Sequence, residues 1–134
     1  MSPLKTYIVE DSPVIRDGLI ATLEELGPVQ VLGWAADEAS ALQWLGQPGH
    51  GAELLIVDLF LRGGSGMGVL RALGTGPGAP RLVVLSNYAT PDVRRKCLDM
   101  GADRVFDKSS EIEALLAYCG QLAAARPASG AAAG

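Results

Sequence analysis

Apolar residues along this chain fall into two alternating patterns: short unbroken runs, and longer stretches in which they recur three or four positions apart. The first pattern marks strands buried on both faces; the second marks one side of a helix. Strands are expected from about Thr6 to Glu10, Val29 to Ala35, Leu54 to Val57, Arg81 to Leu85 and Arg104 to Phe106. Five helical patterns lie around them. Ser12-Pro13 reads as a cap and first-turn proline ahead of Val14, Ile15, Leu19, Ile20, Leu23 and Leu26, with Gly27-Pro28 as the stop. Asp37 caps a second helix carrying Ala39, Leu42 and Leu45, closed by Gly46. A glycine-rich loop leads to a short helix from about Met67 to Leu73. Thr90-Pro91-Asp92 opens a fourth, with Val93, Cys97, Leu98 and Met100 as its apolar members and Gly101 as its end. Ser110 and Glu113 read as a capping box for the last helix, which carries Ile112, Leu115, Leu116, Cys119 and Leu122.

Strands alternating with helices predict an α/β doubly wound domain. Right-handed crossovers leave few topologies. The preferred one is a flavodoxin-like, five-stranded parallel sheet in the order 2-1-3-4-5, with five helices. It sets the ends of the first and third strands side by side at the switch point, where ligands bind. The length suits one domain, assigned to residues 1–125. Residues 126–134 begin Arg126-Pro127-Ala128-Ser129-Gly130 and continue in alanine and glycine, a low-complexity tail expected to be disordered.

Charge and composition narrow the function. A net charge of −4 and a pI near 4.9 argue against direct nucleic-acid binding, which needs a basic surface. No apolar stretch is long enough to span a bilayer, and Met1-Ser2-Pro3-Leu4-Lys5 lacks the apolar core of a signal peptide. A soluble, cytoplasmic protein with no membrane contact is expected. Cys97 and Cys119 have neither metal-site nor redox spacing and are read as reduced, packed thiols. His50, the single histidine, is read as an exposed residue of the loop Gln47-Pro48-Gly49-His50-Gly51 rather than half of a catalytic pair.

Candidate chemistry gathers at the strand ends. The first strand ends in Glu10-Asp11, the third in Asp58, the fourth in Ser86 and the fifth in Asp107-Lys108. With the first and third strands adjacent, Glu10, Asp11 and Asp58 converge, and three close carboxylates repel unless a cation sits among them. Oxygen ligands of this kind suit Mg²⁺ or Mn²⁺. A free Asp58 oxygen could then attack phosphorus to form an acyl phosphate. Lys108 and the Ser86 hydroxyl could offset charge on the phosphoryl oxygens. Each residue alone reads as readily as a helix cap, a turn former or a solvated lysine. The joint pattern, one group per strand end in a fitting order, favours the site.

On Glu10-Asp11-Ser12, Asp58, Leu85-Ser86-Asn87, Gly101-Ala102-Asp103 and Asp107-Lys108-Ser109, the sequence resembles the receiver domain of two-component response regulators, from about residue 5 to residue 124. The resemblance implies that Asp58 accepts a phosphoryl group from the phosphohistidine of a sensor histidine kinase or phosphotransfer protein. It implies Asp11 as a direct metal ligand, Glu10 acting largely through water, the backbone carbonyl of Phe60 as a further ligand, and Ser86 and Lys108 as the groups that hold the phosphoryl. Such a domain catalyses only its own phosphorylation and dephosphorylation. Its output is a remodelled face formed by the fourth helix, fifth strand and fifth helix, which binds a downstream protein target and leaves room for a homodimer.

The chain departs from the family pattern at three places. Leu59-Phe60-Leu61-Arg62-Gly63-Gly64-Ser65-Gly66 replaces the usual Met-Pro segment. Phe60 stands two positions after Asp58, where its ring would hinder water and prolong the phosphorylated state. Val105 occupies the common switch-aromatic position, and Phe106, one place later, should face the other side of the strand.

Three other readings compete. A phosphatase of the haloacid dehalogenase type would need DxD at the end of the first strand. A nucleotide-binding module would need a phosphate loop, and Gly63-Gly64-Ser65-Gly66-Met67-Gly68 fits neither GxGxxG nor the P-loop. A pseudo-receiver that is never phosphorylated would have no use for clustered like charges. The short stretch after the last helix leads to the expectation of a stand-alone receiver acting through protein contacts. Arg94, Arg95 and Lys96, with Arg104 nearby, are read as either a basic contact surface or a solvated face.

Overall fold

A computed structural model describes residues 2–73 and 79–125. The tail expected at 126–134 lies outside the described residues. Ten elements follow in strict alternation: β1 Leu4–Val9, α1 Pro13–Leu26, β2 Val29–Ala35, α2 Glu38–Leu45, β3 Leu54–Val57, α3 Gly66–Leu73, β4 Arg81–Ser86, α4 Pro91–Asp99, β5 Arg104–Asp107 and α5 Ile112–Ala125. All strand pairs are parallel, in the order β2-β1-β3-β4-β5. This is the flavodoxin-like topology the alternation predicts.

Register follows from burial. All four residues of β3 are buried, so its side chains alternate between two cores. Leu55 and Val57 join Val84, Val105, Val69, Leu70 and Cys97 on one face of the sheet. Leu54 and Ile56 join Ile8, Leu85, Phe106, Leu23, Leu115 and Cys119 on the other. A one-residue slip would exchange the two sets. Val105 and Phe106 therefore point to opposite cores. No helix among the described residues is long and apolar enough to cross a membrane.

Local signals start the first, second and fourth helices as expected. Ser12 Oγ accepts from Ile15 N–H at 3.4 Å, Asp37 Oδ1 from Ser40 N–H at 2.7 Å, and Thr90 Oγ1 from Val93 N–H at 3.3 Å. The start of α5 differs from the Ser110–Glu113 capping box. Asp107 Oδ1 accepts from the amides of Ser109 and Ser110 at 2.8 and 3.1 Å, and α5 begins only at Ile112. Asp107 reaches Ser110 N–H within one local turn, so the amide that Glu113 would accept in a capping box is already taken.

Tertiary context corrects three further expectations. Leu19 and Leu23 of α1 are buried, but Val14 (82% exposed), Ile15 and Leu26 are not: Val14 lies on the opposite side of the helix from Leu23, and Ile15 and Leu26, though on the Leu19 side, stand in its first and last turns. Leu98 of α4 is likewise exposed. His50 is not a free loop residue: its ring lies 4.9 Å from that of Trp44, which stacks on Tyr7 at 3.9 Å, and its Nδ1 accepts from Ala52 N–H at 3.0 Å. Gly49 and Gly51, at φ +76° and +83°, turn the loop back to allow this.

Candidate functional site

The β1–β3 ladder carries two carboxylates past its last paired residues. Val9 and Val57 are register partners. Asp58 N–H then donates to Val9 C=O at 2.9 Å, and Glu10 N–H to Ala35 C=O at 2.9 Å. The backbone thus fixes where Glu10 and Asp58 leave the sheet. Ligand oxygens of Glu10, Asp11 and Asp58 all lie within 4.8 Å of one another. On the far side of the sheet centre, Ser86 pairs with Asp107, and Lys108 N–H donates to Ser86 C=O at 3.1 Å.

Lys108 reaches across to close the group. Its Nζ donates to Glu10 Oε1 at 2.5 Å and to Asp58 Oδ2 at 3.0 Å. The three side chains are only 9%, 3% and 8% exposed, respectively. Burial raises the Asp58 pKa above the ordinary carboxylate value, with the Lys108 contact opposing and the Glu10 charge reinforcing the rise. Burial alone would lower the Lys108 pKa, but hydrogen bonds to Glu10 and Asp58 outweigh it, so the ammonium is held charged.

The remaining contacts orient the acidic groups. Glu10 Oε2 accepts from Ser12 N–H at 3.1 Å, which divides its carboxylate between backbone and ammonium. Asp11 does not cap α1. Its Oδ2 accepts from Arg62 N–H at 2.8 Å and ties down the loop after β3. Asp58 Oδ1 accepts from Phe60 N–H at 3.3 Å. The Ser86 hydroxyl, fully buried, accepts from Tyr88 N–H at 3.0 Å. The Phe60 ring is 57% exposed and meets Tyr88 edge-on, with centroids 5.2 Å apart.

Close packing explains part of the glycine-rich run. A Cβ on Gly66 would stand 2.1 Å from the Asp58 carbonyl oxygen. Only glycine lets the loop fold back onto Asp58, where Gly66 N–H donates to Leu59 C=O at 3.0 Å and Phe60 bridges Ser65.

The donor set is hard and oxygen-only, which fits Mg²⁺ or Mn²⁺. Glu10, Asp11 and Asp58 could supply side-chain ligands to such an ion. Arg94 is not part of a basic surface. Its Nε donates to Ala89 C=O at 2.8 Å, Nη1 to Val105 C=O at 2.8 Å and Nη2 to Glu111 Oε1 at 2.6 Å. Glu111 Oε1 also accepts from Asp107 N–H at 2.9 Å, so one ion pair joins α4, β5 and the start of α5. Nothing in the run Arg94-Arg95-Lys96 marks it for this role.

The sequence matches the response regulator receiver domain over residues 6–119. A protein-glutamate methylesterase/protein-glutamine glutaminase from Myxococcus xanthus is 33% identical over 98% of this chain and 38% of its own length. The nitrate/nitrite response regulator protein NarP of Escherichia coli is 31% identical over 86% of this chain and 53% of its own. The chain thus spans about half or less of these relatives. The signal receiver domain of NarL from Mycobacterium tuberculosis superposes with a TM-score of 0.80 at 24% identity, over 94% of this chain and all of that one. A response regulator from Burkholderia pseudomallei, solved with a phosphorylated aspartic acid, a calcium ion and citrate, gives a TM-score of 0.72 at 26% identity, over 90% of this chain and 71% of that one. With the matched residues spanning nearly every strand and helix described above, the chain belongs to the receiver-domain family of two-component response regulators.

Proposed function

We propose that this chain is a phosphoryl-accepting receiver in which Asp58 is the acceptor. An Asp58 oxygen attacks the phosphorus of a phosphohistidine on a sensor histidine kinase or phosphotransfer protein. The O–P bond forms as the N–P bond breaks, and the imidazole leaves and takes up a proton. Mg²⁺ or Mn²⁺, held by Glu10, Asp11, Asp58 and the Phe60 carbonyl, would offset charge on the transferring phosphoryl oxygens. Lys108 supplies a fixed positive charge to the same oxygens, and the Ser86 hydroxyl a hydrogen bond. The receiver would occupy residues 1–125, and its phosphorylation would alter a face that binds a downstream protein.

One observation carries the reading: three carboxylates with oxygens within 4.8 Å, and a lysine Nζ 3.0 Å from the central one, all on one sheet edge. The Burkholderia pseudomallei relative, with its phosphorylated aspartic acid and calcium ion, supports it. The test is intact mass after treatment with acetyl phosphate and Mg²⁺. Wild type should gain one phosphoryl group and Asp58→Ala none. No gain in wild type would leave the pseudo-receiver reading, and turnover of a phosphate ester would favour the phosphatase.

A further inference from the structure

The loop that carries Phe60 is held by a residue outside the acidic cluster. Glu38, the first residue of α2, donates its N–H to Gly63 C=O at 2.9 Å. Its Oε1 accepts from Ser65 N–H at 2.8 Å. Two glycines make room for that carboxylate. A Cβ on Gly64 would lie 2.6 Å from Glu38 Cβ, and one on Gly68 would lie 2.2 Å from Glu38 Oε2. Gly64 also needs its freedom of backbone, at φ +92°. The run Gly63-Gly64-Ser65-Gly66-Met67-Gly68, which matches no phosphate-binding pattern, is therefore a cradle for a side chain of this same protein.

Ser65 is the joint between that cradle and the site. It bridges Phe60 across the loop, and its Oγ donates to Leu59 C=O at 3.5 Å. Phe60 N–H is meanwhile held by Asp58 Oδ1. The peptide units around Phe60 are thus fixed from Asp58 on one side and, through Ser65, from Glu38 on the other. The second anchor of the loop, Asp11 Oδ2 on Arg62 N–H, belongs to a carboxylate that a bound cation would also engage. Glu38 has no such second claim on it.

We infer that Glu38 is a positioning residue: through Ser65 it sets the Phe60 segment for cation binding beside Asp58. This rests on the reading of the site as a divalent-cation centre. Groups that orient ligands without touching the metal commonly change metal affinity by about 10–100-fold when removed.

The experiment titrates Mg²⁺ calorimetrically into wild type, Glu38→Ala, Glu38→Gln, Gly68→Ala and the Glu38→Ala/Gly68→Ala double variant, with a melting curve for each. Glu38→Ala should weaken Mg²⁺ binding about tenfold. Glu38→Gln keeps an acceptor for Ser65 N–H and should stay within about twofold of wild type. Gly68→Ala favours the helix by propensity, yet should weaken binding as Glu38→Ala does, because its Cβ displaces the carboxylate. The double variant should be no worse than Glu38→Ala alone, since both changes break one contact. Amide exchange at Ser65 without metal should quicken in Glu38→Ala and not in Glu38→Gln.

A Glu38→Ala protein that binds Mg²⁺ as wild type overturns the inference, as does full additivity in the double variant or failure of Glu38→Gln to rescue. Wild type that binds no Mg²⁺ overturns the parent reading and this inference together. Normal binding in both wild type and Glu38→Ala removes this inference alone.

Discussion

Deleting the Lys108 ammonium is the sharpest perturbation of this site. Lys108→Met keeps an unbranched stem and removes the charge that lies 2.5 Å from Glu10 and 3.0 Å from Asp58. At an effective dielectric of about 20, a unit pair some 3 Å apart attracts by roughly 5 kcal/mol. Much of that offsets the cost of taking the charges out of water, yet removing one partner of a buried pair costs about 3–5 kcal/mol because the other charge stays behind. Two carboxylates stay behind here, so metal-free Lys108→Met should fall in the upper half of that range and melt about 10–20 °C lower.

Mg²⁺ distinguishes this cause from general damage. Three carboxylates and one ammonium sum to −2, and loss of the ammonium makes the cluster −3. The variant should therefore bind Mg²⁺ more tightly, by about tenfold for each 1.4 kcal/mol of added attraction. At 100 times the dissociation constant the ion returns about 2.7 kcal/mol of stability. Melting curves in chelator and in saturating Mg²⁺, with calorimetric affinities, give both numbers. Equal melting temperatures in chelator, or weaker Mg²⁺ binding in the variant, would refute the account of Lys108 as the counter-charge of the pocket.

Other outcomes follow from the same contacts. Phe60→Asn should shorten the lifetime of the phosphorylated protein by about tenfold, or 1.4 kcal/mol in barrier. An unchanged decay of phosphoprotein mass with time would rule out shielding by the ring. Burial pushes the Cys119 thiol up to about 11. The folded state thus prefers the neutral thiol, and the stability this contributes is complete below the ordinary value of 9.0 and lost as pH rises through about 11. Urea melts across that window should fall less steeply for Cys119→Ala, and equal slopes would contradict the burial argument. Arg94→Lys should cost about 2 kcal/mol, mostly through the two backbone carbonyls that one ammonium cannot reach together with Glu111. The ion pair itself is about one-third exposed and adds little. A loss under about 0.5 kcal/mol would show that the clasp is not structural.

What could be read from the sequence is what short-range physics decides. Leu54 to Val57 is an unbroken apolar run because both faces of β3 are covered, and Asp58 stands out against it. Ser12, Asp37 and Thr90 act on amides three residues away, so local spacing reveals them. The misreadings required partners distant in sequence. Arg94 meets Glu111 across 17 positions, and Ser65 meets Glu38 across 27. Leu26 shares the helical face of Leu19 and Leu23, but period alone does not say how much of the helix's length will be covered. Ser110 was a sound cap by pattern until Asp107, folded back by its own turn, took the amide first.

The same division separates the site into two kinds of part. Glu10, Asp58 and Lys108 leave the ends of paired strands, where register fixes their exit and a slip of one residue would rebuild two cores. Phe60 sits on a loop held by side chains, Asp58, Asp11 and the Glu38 cradle among them, rather than by a strand ladder. Strand-end positions should therefore tolerate little, since changing one alters chemistry or register outright. Loop positions should respond by degrees, in cation affinity and phosphoryl lifetime, while the fold stays intact. Two of the chain's three departures from the family's pattern fall in this loop, so its individual kinetics should reside in residues 59–68 and in Glu38, rather than in the carboxylates themselves.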